Sequence, residues 1–123
     1  MRKGFTLIEL IVVIIIIGVL ASFGLPQYIK VAEKARKAEG VSLLSVIRSS
    51  QLRYKAETGA YATVMTVLDL DYTTPKYFTV NAPAGTAAQV GRVTRNGVEG
   101  AQYVYVLGIS DAGTVTCTGA SCI

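Results

Sequence analysis

The chain of 123 residues contains no histidine and only two cysteines. Without histidine, it cannot form a hydrolase site that relies on an imidazole base, nor a metal site with imidazole ligands. Two cysteines are too few for an all-sulfur zinc site, and no glycine-rich phosphate-binding loop is present. We therefore predict that the chain is not an enzyme and has no catalytic residue, no metal and no cofactor.

Charged residues are also scarce, at 16% of the chain, with a formal net charge of +4. Arg2 and Lys3 supply two of these positive charges, so the remainder is only mildly basic and gives no support for nucleic acid as a partner. The acidic residues of the second half are scattered. Asp69 and Asp71 form a weak candidate for calcium, and solvated loop acids are the better interpretation.

Hydrophobic residues make up 51% of the chain and are concentrated at its start. From Phe5 to Leu25 the only polar side chains are Thr6, Glu9 and Ser22. A helix of this length would be about 31 Å long, which matches the hydrocarbon core of a bilayer. A carboxylate in such a segment is costly and therefore indicates a function. Glu9 needs a partner, and the encoded sequence offers no obvious one nearby.

Three interpretations of this segment remain open. A cleaved secretory signal fits the basic start and a small-residue site at Val19-Leu20-Ala21, but gains nothing from Glu9. A plain single-pass anchor would tolerate Glu9 near the interface. Cleavage after Gly4 would instead create a positive amine on Phe5, one helical turn from Glu9. In a low dielectric the two charges would favour each other strongly, within one chain or between neighbours.

The segment Arg2-Lys3-Gly4-Phe5-Thr6-Leu7-Ile8-Glu9-Leu10 resembles the type III signal of type IV pilins and type II secretion pseudopilins. The resemblance implies cleavage between Gly4 and Phe5 by a prepilin peptidase, followed by N-methylation of Phe5. It also implies that Phe5 and Glu9 take part in subunit assembly. It covers about the first 30 residues closely, and beyond them it concerns the layout of the chain.

The same resemblance implies a structural subunit of a type IV pilus, which is stored in the inner membrane and polymerised by an assembly platform and its ATPase. A pseudopilin of a type II secretion system is the alternative, although its major subunit usually has a calcium site where this chain has two cysteines. A membrane-tethered module that never polymerises is the second alternative. Surface adhesion, motility or DNA uptake would be the role of a pilus.

The implied topology, with the N-terminus inside and the domain outside, conflicts with a simple count of positive charges. The cations that follow the apolar segment outnumber Arg2 and Lys3, and they are Lys30, Lys34, Arg36 and Lys37. We give the cysteines and the resemblance more weight. The expected destination is a cell-surface or periplasmic filament.

The pattern predicts four parts: a leader (1–4), a membrane and filament-core helix (5–25), its amphipathic continuation (26–57) and a globular head (58–123). Gly18, Gly24 and Pro26 predict a kink, because proline removes a backbone donor and clashes with the preceding turn. In the family, the matching stretch can lose helicity in the filament, which we extend to Gly18–Pro26 as a hypothesis. Gly59 predicts the end of the helix.

The head is expected to form a small antiparallel sheet against the second half of the helix, an α+β fold. Alternating and β-branched runs predict strands at Lys76–Asn81, Gln89–Thr94, Ala101–Ser110 and Thr114–Thr118. A tight turn at 111–113 joins the last two. One short helical turn is expected within Val64–Leu70.

Cys117 and Cys122 enclose four residues near the C-terminal end. A metal site would need more ligands, and a redox pair usually has two residues between its cysteines. We predict a structural disulfide, which contributes about 2 kcal/mol by the loop-entropy relation. A disulfide also favours an oxidising, extracytoplasmic location for the head.

Overall fold

The computed structural model describes residues 4–123 and confirms the α+β class. Helix α1 spans Leu7–Thr58 and is followed by a short 3-10 turn at Met65–Val67. The strands are β1 (Phe78–Asn81), β2 (Gly91–Arg95), β3 (Val106–Ile109) and β4 (Val115–Thr118). The chain divides into two compact units, the residues up to Lys34 and Ala35–Ile123, and each is treated separately below.

The C-terminal end of α1 has the glycine stop that the sequence predicts. Gly59 has φ +83°, a conformation that glycine adopts without steric cost, and its N–H donates to the Lys55 carbonyl at 2.8 Å. The Thr58 hydroxyl donates to the Tyr54 carbonyl at 2.8 Å. The helix thus ends within one residue of the predicted boundary.

The sheet is a simple antiparallel meander in the order β1-β2-β3-β4. Val93 of β2 lies opposite Val80 of β1 and Leu107 of β3, and Leu107 lies opposite Cys117 of β4. Side chains on the inner face of the sheet pack on one face of the helix. The resulting core consists of Leu43, Leu44, Ile47, Phe78, Val90, Val93, Tyr105, Leu107 and Ile109.

All four strands are shorter than predicted, and identifiable contacts explain the late starts of β1 and β3. β1 begins at Phe78 because the N–H groups of Lys76 and Tyr77 donate to the Glu39 carboxylate, each at 3.0 Å, instead of to a strand. β3 begins at Val106 because the preceding residues fold into turns. There, Gly100 donates to the Gly97 carbonyl at 3.2 Å and Tyr103 donates to the Gly100 carbonyl at 2.9 Å.

Buried polar side chains fasten the loop that follows the helix. The Gln51 side chain donates to the Ala62 carbonyl and accepts from the Ala62 N–H, both at 2.9 Å. The Ser50 hydroxyl donates to the Asp69 carbonyl at 2.9 Å. Because both Gln51 and Ser50 are buried, these bonds satisfy polar atoms that water cannot reach.

A cluster of charged residues fastens two loops of the head to the helix. Glu99 accepts from Lys76 at 2.7 Å and from the Tyr77 hydroxyl at 3.0 Å, and it pairs with Arg36 at 3.3 Å. The hydrogen bonds from Lys76 and Tyr77 lower the pKa of Glu99, and the bond to Glu99 raises the pKa of Lys76. Arg36 and Glu39 of α1 are therefore the helix residues that hold these loops.

Candidate assembly surface at the start of the helix

The first turn of α1 is closed by a reciprocal pair of side chains, Thr6 and Glu9. The Glu9 atom Oε2 accepts from the Thr6 N–H at 2.8 Å and from the Thr6 hydroxyl at 2.7 Å. In return, the Glu9 N–H donates to Thr6 Oγ1 at 3.3 Å. This is a capping box, which satisfies two backbone donors that a helix start leaves without partners.

The expectation that Glu9 has no partner nearby is therefore wrong. The signal was in the sequence, because a threonine followed three residues later by a glutamate and an apolar run is the pattern of a capping box. Both Thr6 bonds go to Oε2, and within the part of the chain that the structure describes Oε1 accepts no hydrogen bond. One oxygen of the carboxylate remains available for another donor.

Gly4 and Phe5, the residues of the predicted cleavage junction, lie before the helix and are exposed. The Phe5 side chain is 88% exposed and lines an open groove of about 390 Å³ with Ile8, Glu9, Val12 and Val13. Phe5 and Glu9 therefore share one surface of the first two turns.

The apolar residues that follow are exposed along the whole predicted span. Every residue from Leu7 to Leu25 is exposed, including the isoleucines at positions 14 to 17. Among the described residues, α1 is the one helix that is long and apolar enough to cross a membrane, judged by length and composition. So large an apolar surface marks a site of contact with lipid or protein.

The structure keeps Gly18, Gly24 and Pro26 inside the helix, so the predicted kink and loss of helicity stay predictions. Pro26 has no N–H, and the carbonyl of Ser22, four residues earlier, therefore lacks its usual helical donor. The Ser22 hydroxyl itself donates to the Gly18 carbonyl at 2.8 Å. This stretch combines a missing backbone bond with two residues of low helix propensity.

The disulfide between Cys117 and Cys122 is confirmed, with a Cα–Cα distance of 5.9 Å. It joins the last residues to β4, and the Ser121 hydroxyl donates to the Gln102 carbonyl at 2.8 Å. Within residues 4–123, no three His, Cys, Asp or Glu side chains are grouped so as to hold a metal ion. Asp69 instead pairs with Arg53 at 3.8 Å.

Comparison with known proteins gives similarity at the same N-terminal segment. Residues 1–25 match the model of the prokaryotic N-terminal methylation motif. The chain is 54% identical over 43 residues to the type IV major fimbrial protein FimA of Dichelobacter nodosus, covering 35% of this chain and 27% of that protein. No solved structure matches it significantly.

Two further relatives are similar over a longer segment. The type II secretion system core protein G of Dickeya chrysanthemi is 42% identical over 62 residues, which cover 50% of this chain and 40% of that protein. The type IV major pilin protein PilA of Myxococcus xanthus is 35% identical over 61 residues, covering 50% and 28%. The matched segments thus span well under half the length of these relatives.

Proposed function

Since this chain belongs to the type IV pilin and pseudopilin family, we propose that it is the structural subunit of a type IV pilus. It is stored in the inner membrane through residues 5–25, with its N-terminus inside and its head outside. A prepilin peptidase cuts between Gly4 and Phe5 and a methyltransferase modifies the new amine. An assembly platform and its ATPase then move the subunit into a helical filament.

The observation that carries this proposal is an exposed apolar helix that begins with a carboxylate only partly used by its own chain. Such a helix needs lipid before assembly and other helices afterwards. Helices packed side by side in a filament would cover the residues from Leu7 to Leu25. A single tethered module has no comparable need for the Glu9 carboxylate.

Cleavage supplies the partner that the encoded sequence lacks. The new amine on Phe5 is a cation, and Glu9 Oε1 can accept from it while Oε2 keeps its bonds to Thr6. When the amine comes from a neighbouring subunit, the pair sets the axial position of one helix against the next. Desolvation makes a mispaired charge costly, so incorrect positions are disfavoured.

The processing step is tested by mass analysis of the chain from the native membrane. We expect a chain that starts at Phe5 and carries the mass of one additional methyl group. A mature chain that still begins at Met1, or one that begins at Ser22 as a secretory signal would leave it, contradicts the proposal.

The assembly step is tested with Glu9→Ala, with Glu57→Ala as the matched control. Glu57 is an exposed carboxylate near the other end of the same helix. We expect Glu9→Ala to abolish sheared filaments while membrane insertion continues, and Glu57→Ala to leave both unchanged. Normal filaments from Glu9→Ala would refute the charge-pairing role.

A pseudopilin of a type II secretion system is the second candidate, because the similarity to the Dickeya chrysanthemi protein covers half of this chain. The two roles differ in what is lost on deletion. Deletion of a pilus subunit removes the filaments that can be sheared from the cell surface. Deletion of a pseudopilin instead stops the release of secreted enzymes. Loss of secretion without loss of surface filaments would favour the second candidate.

A further inference from the structure

Two lysines just beyond the apolar segment have no partner among residues 4–123. Lys30 and Lys34 lie one helical turn apart on the same side of α1, and both are exposed. Within residues 4–123, neither forms a hydrogen bond or an ion pair. The nearest carboxylate in sequence, Glu33, is fully buried and so does not expose a negative charge beside them.

The next two cations along the helix contact residues of the head. Arg36 donates to the Glu99 carbonyl at 2.9 Å and pairs with its carboxylate at 3.3 Å. Lys37 donates to the Ile123 oxygen at 2.6 Å. Of the four cations that follow the apolar segment, Lys30 and Lys34 are therefore the two without such contacts among residues 4–123.

The position of the two lysines matches the headgroup layer of a bilayer. The apolar run ends at Leu25, and Lys30 lies five residues beyond it, or about 7.5 Å along a helix. The headgroup region adds about 5–7 Å on each side of the hydrocarbon core. Helical side chains tilt toward the helix N-terminus, here toward the membrane, so Lys34 reaches back to the same layer.

A third residue in this segment has the chemistry of an interfacial anchor. Tyr28 is 72% exposed and lies between Leu25 and Lys30. Tyrosine is enriched at membrane–water interfaces, where its ring lies at headgroup level. Tyr28 lies on a different side of α1 from Lys30 and Lys34, so the tyrosine and the two exposed lysines would meet the headgroup layer on different sides of the helix.

We propose that Lys30 and Lys34 bind the phosphate of anionic phospholipids in the leaflet facing the head while the subunit is stored in the membrane. This inference rests on the proposed membrane storage. The lipid holds the helix at a fixed depth, so that Glu9 stays within the bilayer until assembly. Extraction of a subunit then requires the release of these headgroups.

The full chain in mild detergent, supplied with equal amounts of phosphatidylglycerol and phosphatidylcholine, provides the test. Native mass spectrometry counts the lipids that each chain retains. We expect the wild type to prefer phosphatidylglycerol, and Lys30→Gln and Lys34→Gln each to lower that preference about fivefold at low salt. Lys30→Arg and Lys34→Arg should retain it. Arg92→Gln, which removes an exposed and unpaired cation of β2, is the matched control and should change nothing.

Equal retention of the two lipids by the wild type would overturn the inference, as would an undiminished preference in the Lys30→Gln and Lys34→Gln variants. Displacement of phosphatidylglycerol by an equal amount of inorganic phosphate would also overturn it, because the lysines would then select a free anion.

Flotation with vesicles separates this inference from the function on which it rests. A wild type that inserts and is cut after Gly4, yet has no lipid preference, refutes the lipid site alone. A wild type that does not insert refutes the membrane storage itself.

Discussion

Glu9 uses one of its two carboxylate oxygens to close the first turn of its own helix. Oε2 accepts both from the Thr6 N–H and from the Thr6 hydroxyl, and a carboxylate has about four acceptor positions in all. The helix start and an incoming amine therefore do not compete for the same atom. The Thr6 N–H belongs to a peptide bond whether or not the chain is cut after Gly4, so leader removal leaves the capping box intact.

We predict that Thr6→Val weakens the start of α1 by about 1 kcal/mol, because valine cannot accept from the Glu9 N–H. Hydrogen exchange of the Glu9 amide in detergent micelles should become faster in this variant. Thr6→Ser keeps the hydroxyl and serves as the control, with exchange close to that of the wild type. Equal protection in Thr6→Val and the wild type would show that the box does not stabilise the helix start.

At the scale of elements, Gly40 lies at a close contact between α1 and the sheet. A Cβ atom on Gly40 would lie 2.8 Å from the ring of Phe78 and 2.9 Å from Leu107. Gly40 is itself buried, and Glu39 beside it holds the backbone that leads into β1. Gly40 lowers the helix propensity of this segment, but its lack of a side chain permits the close contact with the sheet.

We predict that Gly40→Ala destabilises the head by about 1–3 kcal/mol, since the added methyl group overpacks a core that cannot expand freely. Ser42→Ala, at an exposed position two residues further on, should change stability by no more than about 0.5 kcal/mol. Urea unfolding, monitored by the near-ultraviolet circular dichroism of the tyrosines, measures the stability of both variants. A more stable Gly40→Ala would mean that helix propensity outweighs the close contact.

The elements of this chain were largely predictable, whereas their long-range polar contacts were not. Apolar runs and turn residues predicted the long helix, its end at Gly59 and four strands, and the spacing of the two cysteines predicted the Cys117–Cys122 disulfide. The short β1 depends on Glu39, which lies 37 residues before Lys76, and no local pattern reveals such a pairing. At the candidate site, the capping box of Thr6 and Glu9 is visible in the local sequence but was not predicted from it. The processing and assembly roles of Gly4, Phe5 and Glu9 stay predictions.

At the scale of the whole molecule, the chain has an exposed apolar surface in one compact unit and a core in the other, which consists of the head and the part of α1 that packs on it. Every residue of the core cluster belongs to the unit Ala35–Ile123, and the fully exposed apolar run belongs to the unit that ends at Lys34. The head therefore does not need lipid to bury its core. This separation suits a subunit whose helix exchanges one apolar environment for another while its head stays folded.

We predict that the stability of the head falls as the solution is acidified, in part through Glu99. Its pKa is lowered in the folded head, so its contribution is present above the ordinary value of 4.5 and is lost as the pH falls through the folded pKa. Lys76, whose pKa is raised, loses its contribution only as the pH rises beyond 10.5. Urea unfolding of the full chain at a series of acidic pH values should give a shallower acid limb for Glu99→Gln than for the wild type. Glu57→Gln, at an exposed site, should keep the wild-type slope, and an identical slope in Glu99→Gln would contradict the prediction.

The free oxygen of Glu9 and the amine of Phe5 have a consequence for the symmetry of any polymer that joins them. In the proposed pairing the amine of one subunit meets the carboxylate of a neighbour that is displaced along the filament axis, so the contact is heterologous and does not close a two-fold dimer. Each added subunit presents the same unpaired group as the one before it, and the series has no built-in length limit. One end of the polymer then carries unused amines and the other unused carboxylates, which gives a machine at the membrane a single chemical end on which to add or remove subunits.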